Sequence, residues 1–251
     1  MSVPEKLQAF FQQNPKLALG FSGGVDSSYL LYAAKACGVD VKPYFIKSQF
    51  QPRFELEDAI KLSQQLGVEL QIIELDLTGH EPVLSNPADR CYHCKKLVFE
   101  EIIQQARQDG YQVFIDGNNA SDDDRDRPGM KAVKELAVLS PLREAGLTKD
   151  DVRELSWQAD LFTWNKPSYA CLATRIPTGT AITQDGLMKV EQAEDRLFEL
   201  GFYDYRIRVM DTTAKLQLPP DQMARALELR ETILDELSPY FNDVVLDLKA
   251  R

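Results

Sequence analysis

The stretch Leu17-Ala-Leu-Gly-Phe-Ser-Gly-Gly-Val-Asp-Ser-Ser28 constrains the fold more than any other part of the chain. An apolar run ends at Phe21, a serine and two glycines follow, and Val25-Asp-Ser leads into Tyr29-Leu-Leu-Tyr-Ala-Ala34. That order predicts a buried strand, a tight turn and the N-terminus of a helix. Glycines let the backbone bend and approach a ligand closely. The first free N–H groups of a helix favour an anion. Ser22 and Ser27 add hydroxyl donors, and Asp26 is placed to orient the loop or to meet a metal ion. A phosphate suits these groups. The absence of Gly-Lys-Ser/Thr excludes a Walker A loop, and the glycine spacing is not that of a dinucleotide fingerprint.

The surrounding chain supports an open α/β sheet. A short amphipathic helix is expected from Glu5 to Gln13, and the helix after the loop runs to Cys37-Gly38. Val41–Ile46 reads as a second strand, with Pro43 an awkward interior residue. Apolar spacing predicts a helix over Glu55–Leu66 closed by Gly67, and Val68–Leu75 reads as a third strand. Strands alternating with helices imply a doubly wound parallel sheet with crossover helices. Thr78–Arg90 is irregular and delivers the chain to Cys91-Tyr-His-Cys94. A helix over Lys95–Arg107, a fourth strand over Val113–Asp116 and a polar loop over Gly117–Gly129 follow. Ligands of open α/β sheets bind at the strand ends from which such loops leave. A short helix (Lys131–Leu136), a fifth strand (Ala137–Leu142) and a helix capped by Thr148 and running through Gln158 complete the expected first domain, residues 1–170. Trp164–Gly179 is rich in turn residues and marks the hinge. A smaller α+β domain, residues 171–251, should contain a helix (Gln184–Leu200), two strands (Tyr205–Met210, Ala214–Leu218), a helix (Asp221–Leu237) and a last strand (Val244–Leu248).

Composition narrows the partners. A chain of 251 residues with 44% hydrophobic and 27% charged residues can bury a sizeable core. No apolar run reaches membrane-spanning length, and the first residues lack signal-peptide features, so the cytosol is expected. The net charge of −10 and pI near 4.8 argue against a long nucleic acid and favour a small ligand. Among four cysteines, the Cys91-x-x-Cys94 pair in a reducing compartment suggests metal or redox chemistry rather than a disulfide. Cys37, among alanines at a helix end, is expected in the core. Glu191 and Glu194, one helical turn apart, face one way and are expected on an exposed acidic face, a metal or subunit contact being the other reading. Arg206 and Arg208 alternate on one strand and so share a face that suits a phosphate, the other reading being a solvated face.

The Ser22-Gly-Gly-x-Asp-Ser27 loop resembles the pyrophosphate loop of N-type ATP pyrophosphatases, which split ATP into AMP and pyrophosphate. With the Asp116-Gly-Asn-Asn119 edge and Lys166-Pro-Ser-Tyr-Ala-Cys-Leu-Ala-Thr-Arg175, it is similar to the LarE family over most of the chain. The resemblance implies an ATP-dependent sulfurtransferase. Such an enzyme adenylates a carboxylate of pyridinium-3,5-biscarboxylic acid mononucleotide and installs sulfur as a thiocarboxylate for the nickel-pincer cofactor of lactate racemase. It implies ATP contacts at Ser22, Gly23, Gly24, Asp26, Ser27, Ser48, Gly117 and Asn118, and phosphate contacts at Arg206 and Arg208. Magnesium ligands would come from Asp26 and from one of Asp122, Asp123 and Asp124. Cys171, with Lys166 and Arg175 near it in sequence, is the sulfur residue, joined by Asp26 and Arg175 in the catalytic set.

Three thiols depart from the single-cysteine pattern, in which the matching cysteine gives up its own sulfur and becomes dehydroalanine. Cys91, Cys94 and Cys171 can instead hold a [4Fe–4S] cluster with one iron open. Zinc with His93 or solvent and unligated thiols are the other readings of the same residues. Relatives form hexamers, which implies a homo-oligomer, and relatives often carry a short Gly/Ser tail beyond Leu248-Lys-Ala-Arg251. The competing functions are a tRNA thiolase, an amide-forming synthetase and a nucleotide-binding module that does not turn over. Released AMP separates enzyme from module.

Overall fold

A computed structural model describes residues 3–122 and 128–251. Asp123 and Asp124, weighed above as magnesium ligands, lie outside the described residues. The chain divides into two compact units, one formed by Met1–Asp76 and Asp89–Lys166 and the other by Leu77–Ala88 and Pro167–Arg251.

The elements in chain order begin with α1 (Glu5–Gln13), β1 (Lys16–Gly20), α2 (Val25–Ala36), β2 (Asp40–Lys47), α3 (Arg53–Leu66) and β3 (Gln71–Glu74). There follow α4 (Glu81–Leu84), α5 (Arg90–Gln108), β4 (Phe114–Ile115), α6 (Pro128–Glu135), α7 (Pro141–Glu144) and α8 (Lys149–Gln158). A 3-10 turn (Leu172–Arg175), α9 (Gln184–Glu199), β5 (Arg206–Met210), β6 (Thr213–Gln217), a second 3-10 turn (Pro220–Gln222), α10 (Met223–Glu228), α11 (Arg230–Leu237) and β7 (Asp243–Leu246) complete the described elements.

The first unit is an α/β fold whose four parallel strands lie in the order β3-β2-β1-β4. Leu17, Ala18 and Leu19 of β1 are buried, as befits a strand covered on both faces. Tyr29, Leu30, Leu31, Ala33 and Ala34 of α2 pack into the same core with Phe45, Ala59, Leu62 and Ile115. Each fully buried large apolar side chain there contributes roughly 1.5–3 kcal/mol. Pro43 sits inside β2 because Tyr44 O accepts from Phe21 N on the β1 side. Alternation then turns Pro43 the other way, where pairing with β3 begins only at Tyr44.

Several expected boundaries moved. The fifth strand is a single bridge, Ile115 to Leu139. Ala137 adopts φ +52°, which breaks an extended run, and Pro141 opens α7 instead of closing a strand. Helix α5 begins at Arg90 instead of Lys95, so Cys91 and Cys94 stand on its opening turns, and the segment expected to be irregular holds the short helix α4. The third strand is confined to Gln71–Glu74. Cys37 is exposed, because it is the C-cap of α2 beyond that helix's buried face.

The second unit pairs α9 with a three-stranded sheet, β5 antiparallel to β6 and β6 parallel to β7. The helix expected over Asp221–Leu237 is broken into a 3-10 turn, α10 and α11. The breaks fall at Gln222, whose amide is used up on Tyr203 N (2.9 Å) and Tyr203 O (2.6 Å), and at Leu229, with ψ near 13°. No helix among the described residues is long and apolar enough to cross a membrane.

Candidate active site

The polar loop between β1 and α2 occupies the place where the order of winding in the sheet reverses, since β1 is flanked by β2 and β4. Ligands of open α/β folds bind at such switch points. Gly24 is the N-cap of α2, in extended conformation, and the first helical bond runs from Ser28 N to Gly24 O. Helix geometry therefore aims the N–H groups of Val25, Asp26 and Ser27 out of the end. The Ser22 and Ser27 hydroxyls lie 3.1 Å apart, and Ser27 Oγ accepts from Ser22 N at 3.3 Å. These contacts fold the turn back over the helix end. Gly23 has φ +68°, and a side chain there would press on Glu55 O at 3.1 Å.

Loop β4–α6 reaches the same helix end. A Cβ on Gly117 would stand 2.9 Å from Ser27 N, so only glycine allows this approach. Asp116 is buried and accepts from Ser140 Oγ (2.8 Å), Asn118 N (3.1 Å) and the Asn118 side-chain amide. Burial pushes its carboxyl above the usual range despite these bonds and the charges of Lys95 and Arg143. Asn119 donates to Asp26 Oδ1 at 3.0 Å, and Lys149 Nζ lies 2.6 Å from Asp26 Oδ2. Lys149 is delivered by the N-terminus of α8, where Thr148 and Asp151 form the expected capping box. Asp122 accepts from Asn119 N at 2.9 Å. Ser48 follows β2 and bonds Gln51 Oε1 at 2.6 Å. Lys166 pairs with Asp58 at 2.5 Å, and its ammonium reaches Gly23 O at 3.4 Å. Lys149, Asn119 and Lys166 thus bear directly on the loop. Of these, Asn119 and Lys166 lay inside motifs quoted above, whereas Lys149 carried no signal beyond its place beside a helix cap.

In the same unit, Cys91 is exposed and Cys94 half-exposed, three residues apart on one face of α5. Arg90 is buried beneath them, its guanidinium 5.8 Å from the Phe50 ring centre and its Nη2 3.5 Å from Cys91 Sγ. Among the described residues, no three His, Cys, Asp or Glu side chains are gathered as a metal site.

Cys171 belongs to the second unit, half-exposed at the N-cap of the 3-10 turn, its carbonyl accepting from Thr174 N (3.0 Å) and Thr174 Oγ1 (2.9 Å). Arg175 is wholly buried beside it. Its Nε and Nη2 bond Glu194 at 2.8 and 3.1 Å, and Nη1 donates to Ala170 O at 2.7 Å. Burial opposes the charge of Arg175, but Glu194 outweighs it and holds the guanidinium above its ordinary value. Glu194 also accepts from Ile207 N at 3.0 Å and from Tyr169 Oη. It is buried, and the expected exposed acidic face is wrong at this residue. Glu194 falls in the apolar stripe Leu187, Val190, Ala193, Leu197 of α9, which is the signal that places it inward.

Arg206 and Arg208 share a face of β5, as alternation requires, and both are half-buried against the Cys171 segment. Arg206 Nη2 donates to Ser168 O at 3.0 Å. Arg208 donates to Gln217 Oε1 at 3.0 Å and to Thr174 O. Burial, then the charges of Arg251, Arg175 and Arg208, push Arg206 down to about 10. Arg208 is lowered by burial and by Arg175 and Arg251.

None of the known protein-family models matches the sequence. The chain is 34% identical to an uncharacterised protein of Synechocystis sp. over 253 residues, covering 98% of this chain and 93% of that protein. It is 31% identical over 245 residues to the pyridinium-3,5-bisthiocarboxylic acid mononucleotide synthase of Lactiplantibacillus plantarum, covering 96% of this chain and 89% of the synthase. The chain belongs to the LarE family. The chain is also 25% identical over 196 residues to the tRNA-specific 2-thiouridylase of Thermotoga petrophila, covering 60% of this chain and 54% of that enzyme. The synthase spans both units, whereas the thiouridylase match covers only part of the chain.

Proposed function

We propose that the chain is an ATP-dependent sulfurtransferase that adenylates a carboxylate of pyridinium-3,5-biscarboxylic acid mononucleotide and converts it to a thiocarboxylate, for the nickel-pincer cofactor of lactate racemase. The observation that carries this reading is the relationship to the bisthiocarboxylate synthase across 96% of the chain. The loop at the sheet's switch point supports it. A carboxylate oxygen attacks the α-phosphate, and pyrophosphate leaves toward the α2 N–H groups, Ser22 and Ser27. Ser48, Gly117 and Asn118 complete the ATP contacts. Asp26, held beside the loop by Asn119 and Lys149, is the carboxylate offered to Mg2+, with Asp122 as its neighbour.

Cys171 is the sulfur-handling residue, and Arg175 positions its turn, all its bonded donors serving Glu194, Ala170 and Thr174. Arg206 and Arg208 take the mononucleotide phosphate. Cys91, Cys94 and Cys171 would hold a [4Fe–4S] cluster, which when bound would supply sulfide to the activated carboxylate. In support, Cys91 and Cys94 stand one helical turn apart and reach solvent. The competing source is Cys171 itself, whose thiolate displaces AMP to form a thioester. Cleavage of its Cβ–Sγ bond with loss of the α-proton then leaves thiocarboxylate and dehydroalanine. The acidic chain favours this small substrate over RNA, and a cytosolic homo-oligomer, a hexamer, completes the proposal.

Two measurements test this reading. AMP and pyrophosphate should form only with the mononucleotide present; ATP binding without AMP release identifies a non-catalytic module, and AMP release with an amide product identifies a synthetase. Anaerobic reconstitution with iron and sulfide should yield a bound cluster. Absence of bound iron, with Cys171 losing the mass of its sulfur after one turnover, overturns the cluster.

A further inference from the structure

Lys166, the last residue of the first unit, carries its ammonium to the loop between β1 and α2, 143 residues earlier in the chain. Its Nζ pairs with Asp58 of α3 at 2.5 Å, donates to Gly23 O at 3.4 Å and stands 5.3 Å from the centre of the Phe54 ring. The side chain is only 16% exposed, so these contacts are made largely out of water. The backbone beneath it is fixed as well. Lys166 N donates to Thr163 O at 3.0 Å, and Arg153 donates to Lys166 O at 2.9 Å and to Trp164 O at 3.1 Å. A largely buried ammonium on a held base, aligned by one carboxylate, thus ends on a single backbone oxygen.

That oxygen belongs to the Gly23–Gly24 peptide, the plane of the loop most free to turn. A peptide plane flips by paired changes in ψ of the first residue and φ of the second, and glycine at both positions leaves no Cβ to oppose it. Gly23 has φ +68°, and Gly24 is extended with φ −82° and ψ 169°. The carbonyl and N–H of a trans peptide point opposite ways. Here Lys166 lies on the carbonyl side, and Ser22 Oγ, 3.4 Å from Gly24 N, lies on the N–H side. Holding the carbonyl therefore aims the Gly24 N–H toward the Ser22 and Ser27 hydroxyls, the side that offers donors to a phosphate. A flipped plane would present an acceptor to an anion instead. Lys166 opposes the flip because its ammonium, kept in place by Asp58, would lose the carbonyl.

We propose that Lys166 is a positioning residue for ATP, a lock on the Gly23–Gly24 peptide that keeps its N–H directed at the pyrophosphate part of the nucleotide. The ammonium spends its charge on Asp58 and acts on ATP through the peptide, without touching it. The proposal rests on the reading that the loop holds the pyrophosphate part of ATP.

Calorimetry on the full chain tests this with ATP and with AMP, each with Mg2+, AMP being the probe that lacks the pyrophosphate. Lys166→Met, which keeps the length and loses both charge and donor, should raise the Kd for ATP about tenfold, the scale of one lost charge-assisted hydrogen bond. The Kd for AMP should stay unchanged. An equal rise for both ligands, the mark of a general loss of structure, overturns the lock. Lys166→Arg, which keeps a charged donor, should recover most of the lost affinity. Asp58→Asn separates a lock from a direct contact by the sign of its effect. A lock loses its alignment, and ATP should bind severalfold more weakly. An ammonium that meets the phosphates directly is instead released by the loss of Asp58, so tighter ATP binding in this variant overturns the proposal. If the unaltered chain binds ATP no more tightly than AMP, the reading of the loop itself fails, and the lock with it. If the unaltered chain prefers ATP and Lys166→Met keeps that preference in full, Lys166 alone is removed from the site.

Discussion

The loop site of the first unit and the guanidinium cluster of the second are built on opposite plans. Around Ser22–Ser27 the polar groups answer one another at short range: serine to serine, Asp26 to Lys149 and Asn119, Asp116 to Ser140. What the loop offers the proposed phosphate is backbone N–H groups, which carry no net charge and are fixed by the helix. In the second unit one carboxylate, Glu194, satisfies Arg175, while Arg206 and Arg208 rest on neutral oxygens. The phosphate site proposed there would rest on a surplus of side-chain charge. On the proposed roles, the first site would hold a phosphate through fixed backbone dipoles, and the second would select its ligand by charge.

That contrast can be broken from either side. The largest effect is expected from Cys171→Ser, which should abolish thiocarboxylate formation while ATP still binds at the loop with unchanged affinity. Mass spectrometry of the product and calorimetry with ATP read the two halves separately. Loss of ATP binding in this variant would show that the two sites are not separable.

Next comes Glu194→Ala. It leaves the buried Arg175 without its bidentate partner and should lower unfolding free energy by about 3–5 kcal/mol. Glu194→Gln, which keeps an acceptor, should cost less. Denaturant titration followed by a probe in the second unit measures this, and a change below 1 kcal/mol, the scale of an exposed pair, would mean that Arg175 finds another partner.

The smallest effect is expected from Gly117→Ala. Its Cβ would lie 2.9 Å from Ser27 N, a backbone atom that cannot swing away. The α2 end should shift and the KM for ATP rise severalfold, with the mononucleotide Kd unchanged. An unaltered KM for ATP would remove Gly117 from the site.

How much of this was legible in sequence follows from the same contrast. The loop, the helix it opens and the α8 capping box are written in contiguous residues whose backbone demands are local, so Gly23, Ser27 and Thr148 announced themselves. The expected fifth strand failed because Ala137 adopts a left-handed conformation that no local rule assigns to alanine. Glu194 was misplaced because an acidic residue on a helix reads as exposed unless its position in the apolar stripe is weighed against its charge. Lys149 and Arg251 were invisible because their partners, Asp26 and Asp204, are 123 and 47 residues away. Arg206 and Arg208 were legible as a pair from strand alternation alone, though their half-buried setting against Ser168 and Thr174 was not.

The central claim, that ATP is spent to activate a substrate carboxylate for sulfur, is tested most directly by oxygen tracing. Mononucleotide labelled with oxygen-18 in its carboxylates should transfer one labelled oxygen to AMP in each turnover, because sulfur displaces the acyl phosphate at carbon. The product should carry sulfur in its place. Unlabelled AMP, with a product that retains all its labelled oxygen, would contradict the account.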